Sequence, residues 1–144
     1  MDSGSSINGI NVEKYIPGAT VVPSDAEHNN ATYACANGSV LNNKGQTTTD
    51  VRFEKADGYQ RQLTWQNVDI EMPIISTACL ADDPEHQSDV MYGRDGGQII
   101  EVQGDKRSNF IRNGSVYFVK TYLKQIMFER PNKAPGFVRP GAGA

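Results

Sequence analysis

Asp2-Ser3-Gly4-Ser5 is the stretch of this 144-residue chain best placed to do chemistry. An Asp-Ser-Gly tripeptide sets a carboxylate on a tight turn. The hydroxyl residue can hydrogen-bond the loop, and the glycine lets backbone approach the carboxylate. Where two such loops meet, two carboxylates share one proton, because like charges a few ångströms apart resist joint ionisation. One carboxylate then activates a water molecule while its protonated partner donates to a carbonyl. The plain alternative is a surface turn, the usual setting of Asp-Ser-Gly.

The other reactive side chains point to structure. His28 and His86 stand far apart in polar loops without companion ligands, the pattern of solvated surface. Asp82, Asp83 and Glu85 crowd one short acidic segment but lack the spacing of a calcium loop, so a solvated loop is expected. Gly93 to Gly97 is glycine-rich yet carries no phosphate-loop lysine. Ser5 and Ser6 have no histidine in a recognisable elbow. Cys35 and Cys79 are isolated, off any zinc spacing, and read as reduced, mostly buried thiols, with a single disulfide the open alternative. No metal and no cofactor is expected. The net charge of −3 argues against nucleic acid or a membrane surface as partner. No run approaches the ~18 apolar residues of a membrane span, and no basic-then-apolar signal opens the chain. The expected location is cytoplasmic.

The elements around these residues read as strands. Apolar positions from Ile7 to Ile16 are mixed and end at the Pro17-Gly18 turn. Ala19 to Val22 reads as a short strand and Pro23 to Asn30 as a polar loop. Turn pairs at Asn37-Gly38 and Asn42 to Gly45 predict a hairpin over 32–50. Val51 and Phe53 alternate with Asp50, Arg52 and Glu54, and Leu63, Trp65, Val68 and Ile70 follow the Asp57-Gly58 turn. A long hairpin over 46–71 is expected, with Trp65 in the core or on a sheet face. Ser76 to Ala81 lacks turn formers and reads as a short helix capped by Ser76, with Leu80 facing the core. Strands are expected over 88–92 and 98–103, then a hairpin across Asn113-Gly114. Residues 120–130 extend as a strand or a short helix. Pro131 to Ala144, rich in Pro and Gly, reads as a flexible tail after a domain over 1–130. Many short strands with turns every 8 to 12 residues make an all-β barrel or sandwich.

The order of these features resembles a retropepsin-like aspartic protease, the small single-lobe type of retroviruses and retrotransposons. Asp2-Ser3-Gly4-Ser5 matches the family's catalytic tetrapeptide. Tyr33 to Thr47 takes the place of the flap hairpin. Ile74-Ile75-Ser76 and the helix with Leu80 are similar to the apolar segment that passes behind the active site. Val90 to Phe118 resembles the extra strands of retrotransposon-type members. The resemblance covers 2–123. It implies an all-β closed barrel with a flap hairpin and one short helix. In the family a strand runs into the catalytic Asp, and its absence here implies an N-terminally truncated domain. Ser76 stands where many members have glycine, and the flap has fewer glycines than the retroviral form.

The roles implied follow the motif. One loop supplies one carboxylate, so the dyad needs a second copy: a homodimer with Asp2 on the two-fold axis. Asp2 is then the shared acid and base. Ser3 buttresses the paired loops, Gly4 allows their close approach, and Ser5 completes the loop. Asn37 and Gly38 of the flap, with Ile74 and Ile75, would line a cleft for an extended polypeptide substrate. The alternative is a catalytically inactive dimerisation or peptide-binding module of the same fold.

Overall fold

The structure is a computed structural model, and it describes residues 1–34, 38–53, 61–104 and 106–125. Cys35, Asn37, the Asp57-Gly58 turn and the tail at 131–144 lie outside the described residues. The described chain is mostly β, with three short helices. In order these are β1 (Gly9–Ile10), α1 (Val12–Tyr15), α2 (Asp25–His28), β2 (Thr32–Ala34), β3 (Val40–Asn42), β4 (Gln46–Phe53) and β5 (Arg61–Asn67). They are followed by α3 (Thr77–Ala81), β6 (Ser88–Tyr92), β7 (Gly96–Glu101), β8 (Arg107–Asn113), β9 (Val116–Phe118) and β10 (Thr121–Gln125). One sheet has the order β1-β5-β4-β10, a second is the β2-β3 hairpin, and a third has the order β6-β7-β8-β9.

The chain divides into two compact units. The first takes in Met1–Asn8, Asp50–Leu63 and Ile74–Leu123. Its buried apolar side chains are Val51, Phe53, Leu63, Ile75, Leu80, Ile99 and Phe110. The β6–β9 meander is antiparallel throughout, with Tyr92 opposite Gly97 and Gly97 opposite Phe110. Its covered face carries Ser88, Ile99, Glu101, Ser108 and Phe110, and the other face leaves Met91 and Ile111 exposed. That alternation follows from side chains pointing to opposite faces at successive strand residues.

Arg61 is the departure from an apolar interior in this unit. It falls on the buried row of β5 with Leu63, and its side chain is fully buried. Its guanidinium donates to Asp83 Oδ2 at 2.8 Å, to the His86 carbonyl at 2.7 Å and to Ser88 Oγ at 2.9 Å. It also lies over the Phe53 ring, 6.0 Å from the centroid. The segment expected to be a solvated acidic loop therefore folds back onto a buried cation. His86, expected on the solvated surface, instead pairs its Nδ1 with Glu101 Oε2. Neither partner is close in sequence, so spacing alone gives no sign of them.

The second unit centres on Gly9–Thr49 and Thr64–Pro73. β1 runs parallel to the end of β5, with Gly9 opposite Gln66 and Ile10 opposite Asn67. Ile10, Val12, Trp65 and Val68 are buried, and Trp65 Nε1 donates to Thr49 Oγ1 at 2.9 Å. The polar centre is Asn43. It accepts from Ser24 Oγ and the Gly45 amide, and donates to Tyr33 Oη and Gln66 Oε1. Two accepted and two donated bonds fill a primary amide's capacity, which is what a buried Asn requires. Gly45 has φ of 101°, and a Cβ there would lie 2.7 Å from the Val22 carbonyl, so this turn needs glycine.

Two expectations change here. The strand over Ala19–Val22 does not form: Val22 makes one bridging pair with Gln46, and both Val21 and Val22 stay exposed. A four-residue segment with no face to bury gains little from sheet pairing. The polar loop at 23–30 contains α2, started by Ser24, whose Oγ accepts the Glu27 amide. Ser24-Asp25-Ala26-Glu27 is a capping-box sequence, a signal that was present. The first helix, α1, is started in the same way by Asn11, which accepts from Lys14 N.

The Asp83 carboxyl shows how the Arg61 cluster meets acid. Burial alone would raise its pKa, but the Arg61 hydrogen bond, the Glu85 and His86 amides and the Arg61 charge together hold it below its ordinary 3.8. A carboxyl depressed on folding contributes stability above its unfolded pKa and loses it as pH falls through the lower folded value. Asp83→Ala is expected to cost about 3 kcal/mol at pH 7, because it leaves a buried guanidinium without its counter-charge. Urea unfolding at pH 7 and at about pH 2.5 checks this. The gap between wild type and variant should narrow in acid.

Candidate active site

Backbone pairing places Asp2. Its amide donates to the Ile75 carbonyl at 2.9 Å, and its carbonyl accepts the Thr77 amide at 3.2 Å. These two bonds make a parallel bridge between Asp2 and Ser76. The chain then turns back at once. The Gly4 amide donates to Asp2 Oδ1 at 2.8 Å, closing an Asx turn over Ser3. The carboxylate is thus fixed at one oxygen by a backbone donor, on an exposed residue. Ser3 and Gly4 are exposed beside it. A Cβ on Gly4 would meet Asp2 Oδ1 at 3.4 Å, an ordinary contact, so the loop by itself accommodates alanine there.

Ser5 ends the loop. Its Oγ donates to the Ile7 carbonyl at 2.7 Å and accepts the Ile7 amide at 3.3 Å. Its own carbonyl accepts Ser76 Oγ at 2.6 Å. Ser76 is wholly buried and does three things. Its Oγ reaches Ser5, the same Oγ accepts the Cys79 amide at 3.2 Å to start α3, and its amide donates to Asn8 Oδ1 at 2.8 Å. The expected helix with Leu80 buried follows directly. Serine at this point has work that glycine could not do, since glycine has no hydroxyl to join loop and helix.

The structure brings Asp2, Ser3, Gly4, Ser5, Ile74 and Ile75 together in the first unit. Ile75 is buried and belongs to the core, whereas Ile74 is half-buried. Gly38 belongs to the second unit, exposed after the β2 strand with φ of 87° and open space where a Cβ would stand. Asn37 lies outside the described residues. Cys79 is half-buried, its Sγ 3.6 Å from the Ser6 carbonyl. Among the described residues, no group of three or more His, Cys, Asp or Glu side chains is arranged to hold a metal ion. No helix among them is long and apolar enough to cross a membrane.

Asn8 belongs to no motif. It is buried, and its carboxamide oxygen satisfies the Ser76 amide. The available signal was an asparagine set between Ile7 and Ile10, where a polar side chain has to find a partner if it is buried. A scan against protein-family models finds no match for the chain, and searches of characterised proteins and of solved structures find none either.

Removing either side of this clasp should be felt in stability. Asn8→Leu leaves the buried Ser76 amide unpaired and is expected to cost about 1–3 kcal/mol. Asn8→Asp keeps an acceptor and should cost less in acid, where the new buried carboxyl is neutral. Ser76→Ala removes a helix cap and the Ser5 bond, for about 1–2 kcal/mol. Denaturant unfolding of the three variants gives the order directly.

Proposed function

We propose that the chain is an aspartic endopeptidase domain of the retropepsin-like type, active as a homodimer with one Asp2 from each copy. The observation that supports this most is the parallel bridge of Asp2 with Ser76, which holds an exposed carboxylate at the head of a glycine turn. A surface turn needs no such pairing with a distant buried segment. The closed barrel and the flap are part of the same proposal, with the β2-β3 hairpin in the flap's place in chain order.

In the proposed dimer the two carboxylates share a proton. The ionised one takes a proton from water as it attacks the scissile carbonyl, and the protonated one donates to the carbonyl oxygen. Each Gly4 amide holds its own Asp2 at the oxygen it binds, which leaves the other oxygen for the partner loop and the water. The substrate is an unfolded or extended polypeptide, bound by strand addition. Gly4 then has a reason that the single chain does not supply: the space in front of it is where the second loop and substrate backbone approach.

Cleavage of an unfolded protein between about pH 4 and 7 tests the reading. Specific activity should rise with enzyme concentration until the dimer saturates, and Asp2→Asn should abolish it. Proteolysis that survives Asp2→Asn, or none at concentrations where the chain is dimeric, contradicts it. The second outcome would leave an inactive binding module. Gly4→Ala supplies a separate prediction. Its unfolding midpoint should stay close to wild type, because the added methyl meets only an ordinary contact within the chain, while turnover falls at least about tenfold from blocked approach.

A further inference from the structure

The geometry points to Tyr92 as a positioning residue for Asp2, an inference that rests on the peptidase reading. Tyr92 Oη lies 2.6 Å from Thr77 Oγ1, a hydroxyl pair in hydrogen-bond contact. Thr77 is the residue whose amide clamps the Asp2 carbonyl. One side chain of the β6–β9 sheet therefore reaches the segment that fixes the candidate carboxylate.

The ring of Tyr92 is itself fixed. Tyr92, Gly97 and Phe110 stand in one cross-strand row on β6, β7 and β8. Gly97 leaves the room that the Phe110 ring fills, since a Cβ there would come within 2.5 Å of that ring. Phe110 meets Tyr92 edge-on at 5.5 Å between centroids, and Tyr117 meets it at 4.8 Å, the geometry aromatic quadrupoles favour. Tyr117 Oη in turn donates to the Gly93 carbonyl at 3.1 Å. The ring is exposed on one side and rests on these two aromatic edges on the other, and its hydroxyl meets Thr77. Only one side-chain torsion, χ1, separates the Thr77 hydroxyl from its backbone, so a hydroxyl held in a staggered rotamer restrains that backbone. The line of restraint runs from the aromatic trio through Tyr92 Oη and Thr77 to the Asp2 carbonyl.

Tyr92→Phe removes the hydroxyl and keeps the ring. With an active wild type, kcat is expected to fall about three- to tenfold, the factor one net hydrogen bond supplies, with KM little changed. Thr77→Val should give the same loss, Tyr92→Phe with Thr77→Val no further loss, and Thr77→Ser near-normal turnover. Amide hydrogen exchange supplies a readout that needs no activity. The Thr77 amide should exchange about three- to tenfold faster in Tyr92→Phe, with amides in β7 and β8 unchanged. Wild-type rates for kcat and for Thr77 exchange in Tyr92→Phe would overturn the inference, as would a loss carried by KM alone. If the wild type cleaves nothing, the peptidase reading fails by itself, and the exchange measurement still decides whether Tyr92 holds the Asp2 segment.

Discussion

Two backbone hydrogen bonds hold Asp2, one from its amide to Ile75 and one to its carbonyl from Thr77. Their geometry is parallel, and parallel neighbours cannot be joined by a tight turn. The chain between them must leave and return, and it does so through β1 to β5 before coming back at Ile74. The candidate carboxylate is therefore placed by a contact between residues far apart in sequence, whose loop-closure entropy is recovered only when the core forms around Ile75 and Leu80. The loop at 2–5 supplies the local turn, and Ser76 ties that turn to the start of α3.

Each unit also contains a polar hub that a purely apolar core would lack. In the first, Arg61 gathers Asp83, Ser88 and the His86 carbonyl, and Ser76 gathers Ser5, Asn8 and Cys79. In the second, Asn43 gathers Ser24, Tyr33, Gly45 and Gln66. Each buried donor or acceptor accepts only partners at defined distance and angle, so alternative packings would leave it unpaired. In the first unit the Ser76 hub adds this directional constraint on the Asp2 loop to the apolar core around Ile75 and Leu80.

What could be read in the sequence was what depends on near neighbours. The alternation of Val51 and Phe53, the helix capped by Ser76, the strand at 88–92 and the burial of Trp65 all follow from period and local chemistry. The Asp2 turn belongs to the same class, since Gly4 N to Asp2 Oδ1 spans two residues. What could not be read depends on partners distant in sequence. Arg61 sits on a strand row where its neighbours are apolar, and its counter-charge comes from the loop after α3. Asn8 and Tyr92 carry no motif, because their roles are defined by Ser76 and Thr77. The α2 helix is a different case: its capping box was visible, and the polar composition of 23–30 outweighed it.

A subunit-mixing experiment tests the claim of one carboxylate per copy most directly. Wild type and Asp2→Asn chains are mixed at fixed total concentration, allowed to exchange, and assayed on an unfolded substrate. If each site needs two copies of Asp2, activity falls as the square of the wild-type fraction, to about one quarter at an equal mixture. A fall in direct proportion to the wild-type fraction would mean that each chain acts alone, and would contradict the shared dyad.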